Sequence, residues 1–537
     1  MNGTHDVVVL GSGAAGMVAA IAAAQAGADV GLYEKADQLG GTTAVSGGMI
    51  WIPANPHARA LGVQDSVEEG VRYLMSLSHG LTDESLVRVL VETGPSVVAW
   101  LQRATPLRLR VIEGYPDYQP EHPGGKPDGG RSLECPLFPF ASLGDWADRV
   151  LSPAREVHVE LHELPMGGGS GVIEPAVLAE RRARDQRGIG QGVVGALLAG
   201  CLAHGVEPVT GARALDLVFR DGRVAGVEVE IDGQPARVLA RRGVVLATGG
   251  FERDPDLVRS FLRGPMTAPA GAESNSGDGL RMAMRHGAGL GNMREAWWVP
   301  VMYAPDGRTE AGPLLVNRER TLPRSILVNR AGARFVNEAA NYNALGGAFH
   351  AFDAGAFDYP NLPCWLVFDH EYLCRYGVGL QPPTDEAPDW VTTAPSLEEL
   401  AGPLGVDPAG LVATVSAFNA DIAGGRDHAF GRGDSAYDLW AGDRGQEGRR
   451  RTLGPLEAAP FHAVRVHPGC LGTNGGARTD ASARVLDVDG RPMPGLYAAG
   501  NVMAGVTGMA YGGAGGTLGP AIVFGYLAGR SSAIAEA

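Results

Sequence analysis

No apolar run in this 537-residue chain reaches the length of about 20 residues that crosses a bilayer. The longest stretch to consider, Ala19 to Ala28, is broken by Gln25 and Gly27, so no integral membrane segment is expected. Cysteines are few and scattered: Cys135, Cys201, Cys364, Cys374 and Cys470, with no C-x-x-C pair. That pattern points to a reducing compartment and to buried thiols that bind nothing. No cluster of His, Cys or Asp has metal-ligand spacing, and the expectation for metal is none. The G-x-S-x-G elbow of a serine hydrolase is missing as well. Basic charge is in deficit, with 45 Lys and Arg against 60 Asp and Glu and a net charge of −15. Nucleic acid and anionic membrane are therefore poor partners, while an uncharged substrate is left open. Met1 to Asp6 is short and polar, unlike a signal peptide, and the expected location is the cytoplasm.

Glycine is abundant, and its placement is specific. The apolar strand Val7 to Leu10 runs into Gly11-Ser12-Gly13-Ala14-Ala15-Gly16, and an Ala-rich helical segment follows. A second apolar strand then ends at Glu34-Lys35, about twenty residues after the glycines, the distance expected for a ribose contact. Gly11 permits the tight turn, Gly13 lets a pyrophosphate approach the backbone, and Gly16 lets helix pack on strand. The helix N-terminus faces the phosphates, and Glu34 accepts from the ribose hydroxyls. A second glycine-rich run follows at once: Gly40-Gly41-Thr42-Thr43-Ala44-Val45-Ser46-Gly47-Gly48. A nicotinamide needs no such loop, whereas a flat isoalloxazine ring needs backbone lying close against it.

Further along, helical patterns run from Val67 to Ser78 and from Asp83 to Gln102, and Gly114 to Pro139 reads as a loop rich in Pro, Gly and aromatics. Val206 to Arg242 reads as a β-meander with a hairpin turn at Asp221-Gly222. It closes on the strand Gly243 to Ala247 and on Thr248-Gly249-Gly250-Phe251-Glu252, and Gly277-Asp278-Gly279 opens another helix. From 284 to 456 the composition shifts, with Trp297-Trp298, mixed strands and prolines, and an amphipathic stretch from Ser396 to Ala420. The nucleotide sheet resumes with Pro494 to Asn501, and Gly512 to Ala521 opens a final helix. The fold expected is α/β: a discontinuous Rossmann-like FAD-binding domain (1–283 and 457–537) with an inserted α+β substrate or catalytic domain (284–456).

Together these motifs resemble the 3-ketosteroid Δ1-dehydrogenases, within the fumarate reductase-like FAD flavoproteins. The likeness rests on the two glycine runs, Ala247 to Glu252, Ser325 to Asn329 through Arg334-Phe335-Val336-Asn337-Glu338, Leu471 to Gly476, and Tyr511 to Ala521. It implies FAD as cofactor, held by residues 11–16, Glu34, Lys35, Gly40 to Ala44, Ser46, Gly47, Gly48, Ala212, Ala247, Thr248, Gly249, Gly250, Asp278, Gly500, Asn501, Gly516, Thr517 and Leu518. Some relatives bond the flavin covalently through a histidine in the second run. Thr42-Thr43 stand there with no histidine, implying dissociable FAD. In Tyr511-Gly512-Gly513-Ala514-Gly515 the likeness assigns Tyr511 and Gly515 to the substrate ketone oxygen. Tyr342, shortly after the R-F-V-N-E segment, becomes the base at Cα. Tyr118, in Asp117-Tyr118-Gln119-Pro120-Glu121, supports it, with Tyr115 as the alternative.

The chemistry asks for such a set. Removing two hydrogens beside a carbonyl takes donors on the oxygen, a base at Cα and a hydride acceptor at Cβ. A tyrosine of ordinary pKa near 10 is a poor base at neutral pH, so its proton must be relayed or its pKa lowered. A fumarate- or urocanate-type reductase would instead need cations to clamp carboxylates, and Val502 to Pro520 holds no Lys, Arg or His. The expected partners are an apolar, steroid-like ketone and an external electron acceptor such as a quinone. Δ1-desaturation of a 3-ketosteroid is the leading reading. Ala514, where the steroid pattern has proline, and the small residues after Tyr342 leave room for another cyclic ketone. Arg334 and Glu338 read as a structural ion pair, and His467 as a loop histidine.

Overall fold

Strands of Val, Leu and Ile buried on both faces read as nearly continuous apolar runs, and the opening strand Gly3–Leu10 ends in such a run, Val7 to Leu10. In the computed structural model, which describes residues 3–305 and 312–535, it pairs in parallel with Val30–Tyr33 on one side and Gln234–Leu246 on the other. Pro492–Ala498 extends the parallel set beyond Gln234–Leu246, and Arg484–Leu486 closes that edge antiparallel. The meander Ala212–Arg220, Arg223–Ile231 and Gln234–Leu246 hangs from the same sheet, turning at Asp221 (φ 50°) and Gly222 (φ 78°).

The two ends of the chain meet as a pair of helices, Ala14–Gln25 and Leu518–Ile534. Neither is amphipathic, because both are covered on most sides. Their closeness depends on missing side chains: Cβ atoms added to Gly525 and Gly529 would sit 2.6 Å from the Ala15 carbonyl oxygen and 2.1 Å from that of Ala19. Among the described residues no helix is long and apolar enough to cross a membrane.

A second, antiparallel sheet has the order Gly312–Leu315, Ala296–Ala304, Phe461–Thr473, Cys364–Asp369, Ser325–Asn329. Its centre is the thirteen-residue strand Phe461–Thr473. This strand lies past the expected boundary at 457, yet its hydrogen-bonded neighbours belong to the second sheet. Helices Leu397–Leu404 and Pro408–Ala423 pack beside that sheet. The amphipathic stretch is thus two helices, because Gly405 takes a left-handed φ of 67° that ends the first.

The stretch Gly114 to Pro139 is more ordered than its composition implies. Gly129–Glu134 is a strand between Arg110–Glu113 and Ile50–Trp51, and all six of its residues are buried, which removes the polar–apolar alternation that reveals a strand. Likewise Gly41–Val45, inside the second glycine run, is a short helix.

Candidate active site: a tyrosine cluster beside a glycine-lined cradle

The N-terminal glycines do different jobs. Gly11 has φ 103°, and a Cβ there would lie 2.3 Å from the Ala247 carbonyl oxygen; one on Gly16 would lie 1.9 Å from the Gly11 oxygen. Both glycines are required by protein packing. Gly13 is not: its φ is −68°, and a Cβ would meet nothing nearer than Thr43 Oγ1 at 3.6 Å. Neither strain nor a protein neighbour demands glycine at 13, so the demand comes from a ligand. A pyrophosphate on the uncapped N-terminus of Ala14–Gln25 fits that demand, and the residues suit FAD.

Glu34 is buried at the end of the second strand. Its Oε2 accepts from the N–H and hydroxyl of Ser12 at 2.9 and 2.7 Å, and its Oε1 from the Ala36 N–H at 2.9 Å. Its carbonyl takes the Ala212 N–H at 2.8 Å, which brings Ala212 beside it. Lys35 and Asp278 face each other at 2.9 Å, and Ser276 Oγ takes a second bond from the lysine at 2.7 Å. Thr43 Oγ1 accepts from the Ala14 N–H at 3.1 Å, and Thr42 Oγ1 from Asn275 Nδ2 at 2.9 Å, so both hydroxyls lock the second run to its surroundings. Gly40 and Gly48 have φ of 104° and 70°, and Ser46 Oγ bridges the Thr43 carbonyl and the Gly48 N–H. Ala44 is fully buried beneath the run, and a Cβ on Gly47 would crowd Met49 Cε at 3.2 Å. Ala247 donates to Leu10, Gly249 takes a φ of 75°, Gly250 lies against Glu252 and Thr473, and the buried Thr248 hydroxyl has no partner among the described residues. Gly500, Asn501 and Thr517 line one narrow cleft with Trp297 and Met503. Gly516 donates to Gly513, and Leu518 starts the last helix.

Three tyrosines from distant segments converge next to this cradle. Tyr118 Oη donates to Tyr342 Oη at 2.9 Å, and the rings of Tyr118, Tyr342 and Tyr511 stand 5.1 to 5.5 Å apart. Tyr342 opens the helix Tyr342–Phe349; its cap, Asn341, accepts from the Ala344 N–H and donates to the Tyr118 carbonyl at 3.3 Å. Tyr118 sits in a loop folded around the buried Asp117, which takes Trp51 Nε1 at 2.7 Å and Arg131 Nη1 at 2.8 Å. The Tyr118 N–H bonds the Gly512 carbonyl at 3.0 Å, tying this loop to the turn after Tyr511. Tyr511 accepts at its hydroxyl from Thr517 Oγ1 at 3.1 Å. Gly515 has φ 100°, and a Cβ there would run into the backbone of Met49 and Ile50. No acceptor takes its N–H among the described residues.

Sequence reading did not find the wall around these hydroxyls. Tyr437 stands edge-on to Tyr118 at 5.0 Å, Trp297 lies 4.9 Å from Tyr511, and Trp440 lies 4.9 Å from Tyr115. All are buried, and burial pushes the Tyr115, Tyr118 and Tyr342 hydroxyls well above their ordinary value. Burial raises Tyr511 as well, and the Thr517 hydroxyl, which donates to it, works against that. Tyr437 is pushed up to about 12 by burial, with Arg320 pulling the other way.

Arg334 lies in a buried ion network, 2.7 Å from Glu338 and 2.9 Å from Asp427, with Arg432 on Glu338 at 3.2 Å. His467 lies in the strand Phe461–Thr473, its ring 5.2 Å from Tyr303.

The FAD binding domain family model matches residues 6–518. The chain is 42% identical to 4-oxocyclohexanecarboxylate 2-dehydrogenase of Sinomonas cyclohexanicum, over 99% of this chain and 93% of that one. It is 38% identical to 3-oxosteroid 1-dehydrogenase of Mycobacterium tuberculosis, over 97% of each. The solved 3-ketosteroid Δ1-dehydrogenase of Sterolibacterium denitrificans, in complex with 1,4-androstadiene-3,17-dione, superposes with a TM-score of 0.90 at 34% identity, covering 99% of both chains.

Proposed function

The chain belongs to the FAD binding domain family and, within it, to the 3-oxosteroid 1-dehydrogenase family, and on that premise we propose that its substrate is a cyclic ketone of a single ring. It is an FAD-dependent CH–CH oxidoreductase that introduces a double bond α,β to the carbonyl of a cyclic ketone. In our reading Tyr511 Oη and the Gly515 N–H hold the ketone oxygen, where negative charge develops as the α-proton leaves. Tyr342 takes that proton, and Tyr118 steadies the Tyr342 oxygen through their 2.9 Å bond. FAD held in the glycine-lined cradle would supply the hydride acceptor for Cβ, and an external acceptor such as a quinone would then take up the electrons.

The observation that carries the ring size is the aromatic wall. Rings about 5 Å apart are in van der Waals contact, and at that spacing Tyr437 stands against Tyr118 and Trp297 against Tyr511, with Tyr115 and Trp440 paired in the same buried cluster. One six-membered ring fits beside them more readily than four fused rings. The 42% identity to a dehydrogenase of a 4-oxocyclohexane acid supports the same reading.

Δ1-desaturation of a 3-ketosteroid is the second reading. It is favoured by the cation-free stretch Val502 to Pro520 and by the close superposition on a steroid enzyme.

Anaerobic mixing with 4-oxocyclohexanecarboxylate, cyclohexanone and a 3-ketosteroid, followed by the flavin's visible band, tests both. Faster bleaching by a single-ring ketone is the expected result. Bleaching by the steroid alone moves the assignment to the second reading, and no bleaching by any ketone overturns both.

A further inference from the structure

Arg155 is a cation that neither the sequence motifs nor the reaction as described uses. It is partly buried, and its Nε is shut off from water without a partner among the described residues. Its Nη2 donates to the Ser46 carbonyl at 2.5 Å and to the Val45 carbonyl at 3.0 Å, both in the second glycine run. No acid answers it among the described residues, and burial pulls its guanidinium below the ordinary value. The neighbouring Glu156 is spent on Arg182 and on the N–H groups of Val157 and His158, at 3.0 and 2.9 Å. A cation kept from water without a counter-charge is costly, so an anion formed beside it is favoured.

The bond to Ser46 fixes more than a carbonyl. Ser46–Gly47 is a planar trans peptide, so its C=O and the Gly47 N–H point in opposite directions. Arg155 and the Gly190 N–H, at 3.1 Å, hold the carbonyl on one side. The Gly47 N–H is thereby turned away from them, and no acceptor takes it among the described residues. Gly190 reaches Ser46 because Ile189 is held at φ 46°, a conformation that a β-branched residue keeps only when its surroundings impose it. Gly48 makes room for that strained turn, since a Cβ there would lie 2.4 Å from the Ile189 carbonyl carbon.

We propose that Arg155 is a positioning residue for the flavin: it turns the Gly47 N–H toward the ring and sets a positive charge behind that donor. This rests on FAD lying in the glycine-lined cradle. A hydride carries two electrons and one proton, so a ring that takes it up gains one negative charge. The external acceptor removes the two electrons, and the proton returns to solvent. A fixed N–H and a guanidinium behind it both favour the negative ring, because neither has to reorganise when the charge forms. Arg155 therefore raises the flavin's reduction potential, and with it the affinity for any anion that adds to the oxidised ring.

The test uses full-length holoenzyme with Arg155→Gln and Arg155→Lys. The flavin's reduction potential is measured against a reference dye. Sulfite, an anion that adds to oxidised flavin and bleaches its visible band, is titrated into each protein. Arg155→Gln should bind sulfite about tenfold more weakly or worse, and its potential should drop by about 30 mV or more, the tenfold equivalent for two electrons. Arg155→Lys keeps the charge and should stay within about threefold of the unmodified chain in sulfite affinity. An unchanged potential or sulfite affinity in Arg155→Gln overturns the proposal. So does a loss in Arg155→Lys as large as that in Arg155→Gln, which would make Arg155 a backbone cap alone. Should Arg155→Gln lose its flavin, Arg155→Lys decides by itself. A buried lysine discharges at alkaline pH where arginine does not, so its sulfite affinity should fall with pH beyond the fall in the unmodified chain. No extra fall overturns the proposal. Neither measurement uses a ketone, so the result is separate from that of the substrate reading.

Discussion

Tyr73 donates its hydroxyl to the Gly512 carbonyl at 2.7 Å, which fastens the helix Val67–Ser76 to the turn that follows Tyr511. The same hydroxyl accepts the Gln119 N–H at 3.0 Å, beside Tyr118. One buried oxygen thus sets the distance between two of the three convergent tyrosines.

Tyr73→Phe therefore leaves a buried carbonyl and a buried N–H each short of a partner. A loss of about 1–3 kcal/mol in stability is expected from such a deletion. Urea unfolding measures it, and flavin content stays normal because Tyr73 touches neither glycine run.

FAD is expected to be non-covalent. Thr42 and Thr43 engage Asn275 and Ala14, and no histidine stands between Gly40 and Gly48. Acid precipitation should release the yellow chromophore into the supernatant; colour retained in the pellet contradicts this.

Glu34→Ala removes the acceptor for three protein donors as well as the expected ribose contact. A hydrogen bond to a charged group is worth about 1.5–3 kcal/mol, so FAD affinity should fall about 10- to 100-fold. The fraction that stays flavinated should turn over normally. Equilibrium dialysis against FAD measures the first and anaerobic reduction the second.

On the proposed roles, the three tyrosines should separate in their effects. Tyr511→Phe removes one donor to the ketone oxygen, a loss of about 2.7–4 kcal/mol or about 100- to 1000-fold in flavin reduction. Tyr342→Phe removes the base and should cost at least as much, with ligand binding kept. Tyr118→Phe should cost less, since Tyr118 acts through Tyr342. A wild-type rate in Tyr342→Phe would place the base elsewhere.

Glu252 gives a pH dependence of stability. It is buried with no ion-pair partner among the described residues, and burial pushes its carboxyl from 4.5 up to about 7. The folded chain thus holds a proton that the unfolded chain has released. Its contribution to stability is full below about 4.5 and is lost as pH rises through about 7. Glu252→Gln should flatten this slope and raise stability above pH 7, by up to about 3 kcal/mol. Denaturant midpoints at both ends of that range check it.

What could be read from the sequence was what repeats locally. Glycine spacing, the strand ends and the hairpin at Asp221-Gly222 are set by neighbours within a few residues, and the parallel sheet follows from them. Tyr437 and Trp440 left no trace of their position, because Ala436–Ala441 is an ordinary short helix that reaches Tyr118 only through tertiary packing. The strand Gly129–Glu134 was hidden for a different reason: with every residue buried it shows no alternation.

The Gly512 carbonyl, held at once by Tyr73 and by the Tyr118 backbone, has a consequence for how the enzyme matures. Both partners come from the other end of the chain, Tyr73 lying 439 residues before it, and the tyrosines around it are as widely separated. Contacts this remote in sequence form late, after the local elements and the nucleotide turn. During refolding, yellow colour should return before turnover does. A nick anywhere between Tyr118 and Tyr511 would leave neither fragment with a site of its own, and the two would have to reassociate to restore activity.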